Sequence, residues 1–283
     1  MPQSGEIGPF PRGTCAARFE QTAVRTIKLI LAYDGTAYAG WQVQSRQRSV
    51  QEALEEVLAK VTGQPVRVTA SGRTDAGVHA LGQVVAFRTA SRLAPDVLRR
   101  ALNAELPRDV AVLEAAEAPE GFHATLDARR KRYRYVIDNG PVRDVFRRHY
   151  TWQYPAPLDA AAMDRAARCL VGTHDFSSFQ SSGSERKTSV RTIFDARVRR
   201  GEGPESGLIL IEIEADGFLY NMVRAIVGSL VRIGRGARPE SWLAEVLAAG
   251  DRRTAGPTAP PQGLILVDVK YEGKDEGGML KDE

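Results

Sequence analysis

Residues 72–80, GRTDAGVHA, form the segment of this sequence best suited to chemistry, because they place an arginine, an aspartate and a histidine among glycines. Glycine allows tight turns and a close approach of the backbone to a ligand. A carboxylate such as Asp75 is then available to a bound molecule, although an aspartate in a turn also commonly accepts hydrogen bonds from the local backbone. His79 has the same two interpretations, as a catalytic group or as a packed, neutral histidine.

Basic residues interleaved with aromatic ones form a second candidate. Arg129, Arg130, Lys131 and their neighbours surround two tyrosines, and Arg143, Arg147 and Arg148 follow. This mixture suits a surface that binds phosphates and bases, and it is equally typical of a solvated strand face. The net charge of +4 and the pI near 9.1 are compatible with a polyanionic partner without requiring one.

Composition excludes several other classes of protein. No apolar stretch approaches the length of a membrane helix, and the N-terminus lacks the apolar core of a signal peptide, which predicts a cytoplasmic protein. Cys15 and Cys169 lie far apart and show no spacing of metal ligands, so neither a disulfide framework nor a zinc site is expected.

The elements that must position these groups follow a regular order in the first half of the chain. Strands are predicted at residues 27–33, 66–70, 82–87 and 110–113. Ser49 and Glu52 form a capping box before a helix, and Pro95 begins a second helix. The resulting order, β-α-β-β-α-β, is the ferredoxin-like plan.

The second half repeats this order without detectable sequence identity. Strands are predicted at residues 133–137, 190–198, 208–214 and 264–269, and helices at 158–170, around 222–231 and at 242–247. The predicted fold is α+β, with two similar ferredoxin-like halves, mostly antiparallel sheets and a basic cleft between them. We expect a flexible extension at residues 1–24, domains at 25–125 and 126–271, and a charged, flexible tail at 272–283.

Together, these segments resemble those of a known family, that of tRNA pseudouridine synthase A. The resemblance covers roughly residues 26–271 and includes the 72–80 motif. The other matching segments are residues 33–42, 49–51, 102–107, 122–124, 133–135, 175–179, 217–224 and 255–264. The N-terminal extension and the loop at residues 181–189 do not match.

The resemblance implies a reaction and the residues that perform it. The glycosidic bond of a uridine is broken and the uracil is rejoined through C5, without a cofactor or a metal. Asp75 corresponds to the catalytic aspartate, acting either as a nucleophile on the sugar or base or as a base at C2′. Arg224 corresponds to the cation that keeps this carboxylate ionised. Tyr133 corresponds to the tyrosine that stacks on the uracil, and Leu264 to the aliphatic residue that lines its other side.

The resemblance also implies how RNA binds. A stacked uridine must be extruded from its stem, and Arg73 corresponds to the arginine that fills the vacated space. Contacts with phosphates are expected from Arg46, Arg48, Arg129, Arg130 and Lys131. The expected substrate is the anticodon arm of tRNA, at about positions 38 to 40, and the expected enzyme is a homodimer.

Three alternatives remain open at the level of sequence. A non-catalytic RNA-binding protein or RNA chaperone would bind tRNA regardless of Asp75. A glycoside hydrolase or nucleosidase would need a second carboxylate, and the motif holds only one acid. The same isomerase chemistry is also compatible with another uridine or another RNA.

Overall fold

The computed structural model describes residues 24–45, 47–181, 183 and 188–271. The extension and the tail that the sequence predicts therefore lie outside the described residues, except for Val24. Arg46, one of the predicted phosphate contacts, lies outside them as well.

The first half has the predicted β-α-β-β-α-β order. Its elements are β1 (Arg25–Tyr33), α1 (Val50–Thr62), β2 (Thr69–Ala70), β3 (His79–Thr89), α2 (Pro95–Glu105) and β4 (Val110–Ala118). The capping box forms as predicted, since the Ser49 hydroxyl accepts a hydrogen bond from Glu52 N and the Glu52 carboxylate accepts one from Ser49 N. Strand β2 has only two residues and is shorter than predicted.

The second half repeats the order with additions. Its elements are β5 (Ala128–Asp138), β6 (Trp152–Gln153), α3 (Ala160–Ala167), β7 (Gly172–Asp175), β8 (Val190–Arg200), β9 (Leu208–Ala215), α4 (Met222–Gly234), α5 (Trp242–Ala249) and β10 (Leu264–Tyr271). Helix α3 is shorter than predicted because Asp159 caps its start and a 3-10 turn, Arg168–Leu170, follows its end. Strands β6 and β7 were not predicted, since two and four residues are too few to show a period.

The strands form one sheet of ten strands, in the order β4-β1-β3-β10-β5-β9-β8-β7, with β2 beside β3 and β6 beside β5. Within each half the four main strands have the same order, 4-1-3-2, namely β4-β1-β3-β2 and β10-β5-β9-β8. This confirms the two ferredoxin-like halves. Of the pairings, β3 with β10 and β5 with β6 are parallel and the others antiparallel.

The expectation of a cleft between separate sheets needs a correction, because the two halves share a continuous sheet. The join is the pairing of Ile265 and Leu266 in β10 with His79 and Ala80 in β3. Strand β1 occupies one edge of β3, and the short β2 covers only Val85 and Ala86 of the other edge. The start of β3 therefore remains open for β10 to pair with.

Alternation along β5 separates the two faces of the sheet. Tyr133, Tyr135 and Ile137 point into the main core, which also contains the apolar residues of α4. Val136 belongs to a smaller cluster on the opposite face, together with Leu208 and Leu210. None of the helices in the described ranges combines the length and the hydropathy of a membrane span.

Candidate active site

The parallel join brings Asp75 beside Arg224, although 149 residues separate them in the sequence. Asp75 lies in the loop between β2 and β3, and Arg224 lies in the first turn of α4. Arg224 Nη1 donates a hydrogen bond to Asp75 Oδ2 at 3.3 Å, and the two side chains are 16% and 25% exposed. Within the described residues, the second carboxylate oxygen of Asp75 makes no hydrogen bond. The pair is therefore sheltered but still reachable by a ligand.

Burial raises the pKa of Asp75 above its ordinary value, and the charge and hydrogen bond of Arg224 lower it by a smaller amount. The 3.3 Å contact is longer than a typical charge-assisted hydrogen bond, which is consistent with this incomplete compensation. A carboxylate held in this way is a stronger base and a better nucleophile than an ordinary aspartate.

Three groups fix the guanidinium of Arg224. Its Nε donates to Ala259 O at 2.7 Å, and its Nη1 donates to Asn221 Oδ1 at 2.7 Å as well as to Asp75. Its own carbonyl accepts from Ala259 N at 3.0 Å. Helix α4 is thus tied to the segment that leads into β10.

The loop that carries Asp75 is held by hydrogen bonds at Ser71, Gly72 and Thr74, ahead of the carboxylate. Ser71 N donates to Val84 O at 2.8 Å, and Gln83 Nε2 donates to Gly72 O at 2.8 Å. The hydroxyls of Thr74 and Tyr33 lie 2.8 Å apart, and burial raises the pKa of Tyr33 to about 12, so its proton is retained near neutral pH. The loop is therefore an ordered scaffold for Asp75.

Close packing of the backbone requires glycine at Gly40. Its φ of +93° is disfavoured for residues with a side chain, and a Cβ there would lie 2.5 Å from Thr74 O and 2.9 Å from the carbonyl carbon of Asp75. The backbone at Gly40 is thus in direct contact with the loop that carries the carboxylate.

His79 is buried and hydrogen-bonded, which favours the packed, neutral interpretation. Its Nδ1 accepts from Gly35 N at 3.1 Å, and its Nε2 lies 3.2 Å from Gln262 O. An Nδ1 that accepts this bond carries no proton, so the proton resides on Nε2 and is donated to Gln262 O. Asp34 Oδ1 also lies 3.1 Å from Nδ1 but receives no proton from it in this tautomer. His79 thereby links the end of the loop that carries Asp75 to the segment before β10.

Tyr133 and Leu264 lie on neighbouring strands and on the same face of the sheet. In the register of β5 and β10, Leu264 is opposite Tyr135 and Tyr133 is opposite Leu266, so Tyr133 and Leu264 are diagonal neighbours. Tyr133 is 8% exposed, and its ring meets the ring of Phe218 edge to face, with the centroids 5.0 Å apart. The Tyr135 hydroxyl donates to Pro260 O at 2.8 Å behind them.

The predicted basic residues have different surroundings. Arg73 is exposed, two residues before Asp75, and Arg48 lies 3.4 Å from Glu56. Arg129 is exposed at the start of β5. Arg130 lies on the face opposite to Tyr133, where it pairs with Glu214 at 3.1 Å and covers the ring of Phe194.

Lys131 lies on the same face as Tyr133 because the two residues are separated by one position in β5. Its Nζ donates to Ser71 O at 2.6 Å, at the start of the loop that carries Asp75. The group of three basic residues that the sequence suggests is therefore divided between the two faces. Lys131 therefore contacts the backbone of the loop that carries Asp75, at Ser71.

The sequence interpretation missed two residues of the site. Asn221 contacts Arg224, and Phe218 packs against Tyr133. Both lie in the segment 217–224 that carries part of the resemblance, but no periodicity or spacing indicates what they contact. In the described part of the chain, no group of three His, Cys, Asp or Glu side chains has the arrangement of a metal site.

Comparison with known proteins gives a consistent picture. The family model described as tRNA pseudouridine synthase matches residues 29–127 and 166–272. A protein named tRNA pseudouridine synthase A from Thermoanaerobacter sp. (strain X514) is 44% identical over 88% of this chain and 100% of its own length. Proteins of the same name from Geobacillus kaustophilus and Halalkalibacterium halodurans are 49% and 50% identical, over 87% and 86% of this chain and 94% and 91% of their own lengths.

Proposed function

The chain belongs to the tRNA pseudouridine synthase family, and we propose that it isomerises uridine to pseudouridine in tRNA with Asp75 as its catalytic carboxylate. The contact between Asp75 Oδ2 and Arg224 Nη1 at 3.3 Å is the observation that carries this assignment. It leaves one carboxylate oxygen open, in a sheltered position, with a cation that favours the ionised form.

The reaction requires only groups of this kind. The N1–C1′ bond breaks, the uracil turns, a C5–C1′ bond forms, and the hydrogen on C5 leaves to solvent as a proton while N1 gains one. The atoms of the nucleotide are conserved and no electrons are transferred, so the product is an isomer. Three roles for Asp75 fit this balance: attack on C1′, attack on C6 of the base, and removal of the C2′ proton.

The target uracil binds against the Tyr133 face of the sheet in this proposal. Tyr133 supplies an aromatic surface for stacking, and Leu264 supplies an apolar surface one diagonal position away. Tyr133 is edge-on to Phe218, so its orientation is fixed before the base arrives. A uridine within a stem reaches this pocket only after it is flipped out of the stack. Arg73, exposed beside Asp75, is suited to fill the space that the base leaves.

Phosphate contacts are proposed for exposed cations around the pocket. Arg48 and Arg129 are exposed. Arg46 lies outside the described residues and is proposed as a phosphate contact from the sequence alone. Arg130 has its charge partly satisfied by Glu214 and contributes less. We assign Lys131 to the support of the catalytic loop instead of to RNA. Contacts of this type position the RNA without reading its sequence.

The finer details are also proposals. The expected target is the anticodon arm at about positions 38 to 40, and the expected assembly is a homodimer; both follow from the family resemblance. The expected location is the cytoplasm, which follows from the sequence patterns. Each is testable separately from the chemistry.

The deciding experiment measures tritium release from unmodified tRNA labelled at uridine C5, with the wild type and Asp75→Asn compared. Release by the wild type and none by a folded, tRNA-binding Asp75→Asn variant would support the proposal. Equal release from both would move the catalytic role away from Asp75. No release from either protein, despite tight tRNA binding, would favour a non-catalytic RNA-binding protein.

A further inference from the structure

Asn221 has an unusual backbone conformation directly before α4. Its φ is +61° and its ψ is 8°, in the left-handed region, and it is the one non-glycine residue with a positive φ in the described ranges. This region is disfavoured for residues with a Cβ, although asparagine tolerates it better than most. A glycine would adopt the same conformation without steric conflict, so something other than backbone geometry accounts for the asparagine.

The side chain of Asn221 is not used as a helix cap. An asparagine at the position before a helix usually accepts a hydrogen bond from a backbone N–H of the first turn, and here no such bond forms. Instead Oδ1 accepts from Arg224 Nη1 at 2.7 Å, and Nδ2 donates to Ser181 Oγ at 3.1 Å. Because a guanidinium only donates, Arg224 itself selects the oxygen end of the amide, and the bond to Ser181 holds the nitrogen end in place.

The same nitrogen of Arg224 contacts both Asn221 and Asp75. Its distance to the neutral amide oxygen is 2.7 Å, and its distance to Asp75 Oδ2 is 3.3 Å. The shorter bond is the one to Asn221, so the amide limits how closely the guanidinium approaches the carboxylate. Together with the bond from Nε to Ala259 O, it fixes the plane of the guanidinium.

We propose that Asn221 is a positioning residue for the isomerisation, which holds Arg224 at its observed distance from Asp75 and in its observed orientation. This inference rests on the proposed function. Asn221 acts through Arg224 and has no direct contact with Asp75 in this proposal. Ser181 supports it by accepting a hydrogen bond from the amide nitrogen, which holds the amide in place.

The test compares Asn221→Gly and Ser181→Ala with the wild type, by steady-state kinetics on unmodified tRNA. Asn221→Gly keeps the backbone conformation and removes the amide. We expect kcat to fall about tenfold to a hundredfold, as for loss of a hydrogen bond to a charged group, with KM within about twofold and an unchanged or higher melting temperature. Ser181→Ala should lower kcat about threefold with KM unchanged, because the amide oxygen still accepts from Arg224 but the amide nitrogen loses the bond that holds it in place.

A kcat for Asn221→Gly equal to that of the wild type would overturn the inference, because the asparagine would then serve the turn alone. If Asn221→Gly proved unfolded, Ser181→Ala would decide, and an unchanged kcat for it would also overturn the inference. Absence of tritium release by the wild type is a different outcome, since it would refute the proposed function before any variant is compared.

Discussion

Substitution of Gly40 by alanine should slow the reaction by displacing the backbone of the loop that carries Asp75, although it replaces none of the side chains proposed to take part in the chemistry. The new Cβ would lie 2.5 Å from Thr74 O, about 0.9 Å short of the 3.4 Å of an ordinary contact. The φ of +93° is also disfavoured for alanine. Because the nearest atoms are backbone atoms of the loop itself, the loop must move.

The loss of stability follows from the backbone strain and the steric clash together. Backbone strain costs about 1–2 kcal/mol and overpacking about 1–3 kcal/mol, so the free energy of unfolding should fall by roughly 2–5 kcal/mol. A displacement of about 1 Å at a reacting group costs on the order of a hundredfold in rate. The loop is held at Ser71 and Thr74 as well, which limits its movement, so we expect kcat to fall between about tenfold and a hundredfold.

Gly63 provides a matched control. It ends α1 with a φ of +73°, and a Cβ there would meet nothing within 4 Å. Gly63→Ala should therefore cost only the strain term of about 1–2 kcal/mol and leave kcat unchanged. Chemical denaturation and tritium release measured on both variants, at a temperature where both are folded, separate stability from activity. Equal kcat values for Gly40→Ala and Gly63→Ala would refute the argument that Gly40 positions the loop.

Three further predictions concern individual side chains. Because burial raises the pKa of Asp75, kcat should decline on acidification at a higher pH than for an ordinary aspartate, which a pH–rate profile checks. Asp75→Asn should be at least as stable as the wild type at neutral pH, since the folded state disfavours the charge, and thermal melts check this. Lys131→Met should lower kcat about tenfold and leave the salt dependence of tRNA binding unchanged. Arg129→Gln should reduce the slope of log affinity against log salt concentration by about one and leave kcat unchanged at saturating tRNA. The opposite pattern would return Lys131 to the phosphate contacts. Phe218→Ala should lower the free energy of unfolding by about 1 kcal/mol more than the lost burial of apolar area accounts for. It should also raise KM, because Tyr133 loses the ring that fixes its orientation. An unchanged KM would argue against a pre-oriented stacking surface.

Local patterns in the sequence predicted those parts of the fold whose causes are local. The capping box of Ser49 and Glu52 set the start of α1, and the run of β-branched and apolar residues at 208–214 predicted β9, because caps and residue preferences depend on neighbours in the chain. The repeated element order gave the two ferredoxin-like halves. Strands β6 and β7 and the short β2 depend on pairing with distant strands, so their lengths were missed or overestimated.

The sequence by itself also singled out the loop of Asp75, and the family resemblance supplied Arg224, Tyr133 and Leu264 as its companions. Only the tertiary structure decided how they meet. The open edge of β3 accepts β10, which makes one sheet out of two halves and sets Arg224 3.3 Å from a residue 149 positions away. Asn221, which holds this arginine, lies only three residues before it, but the left-handed backbone of Asn221 and its bond to Ser181 leave no period in the sequence.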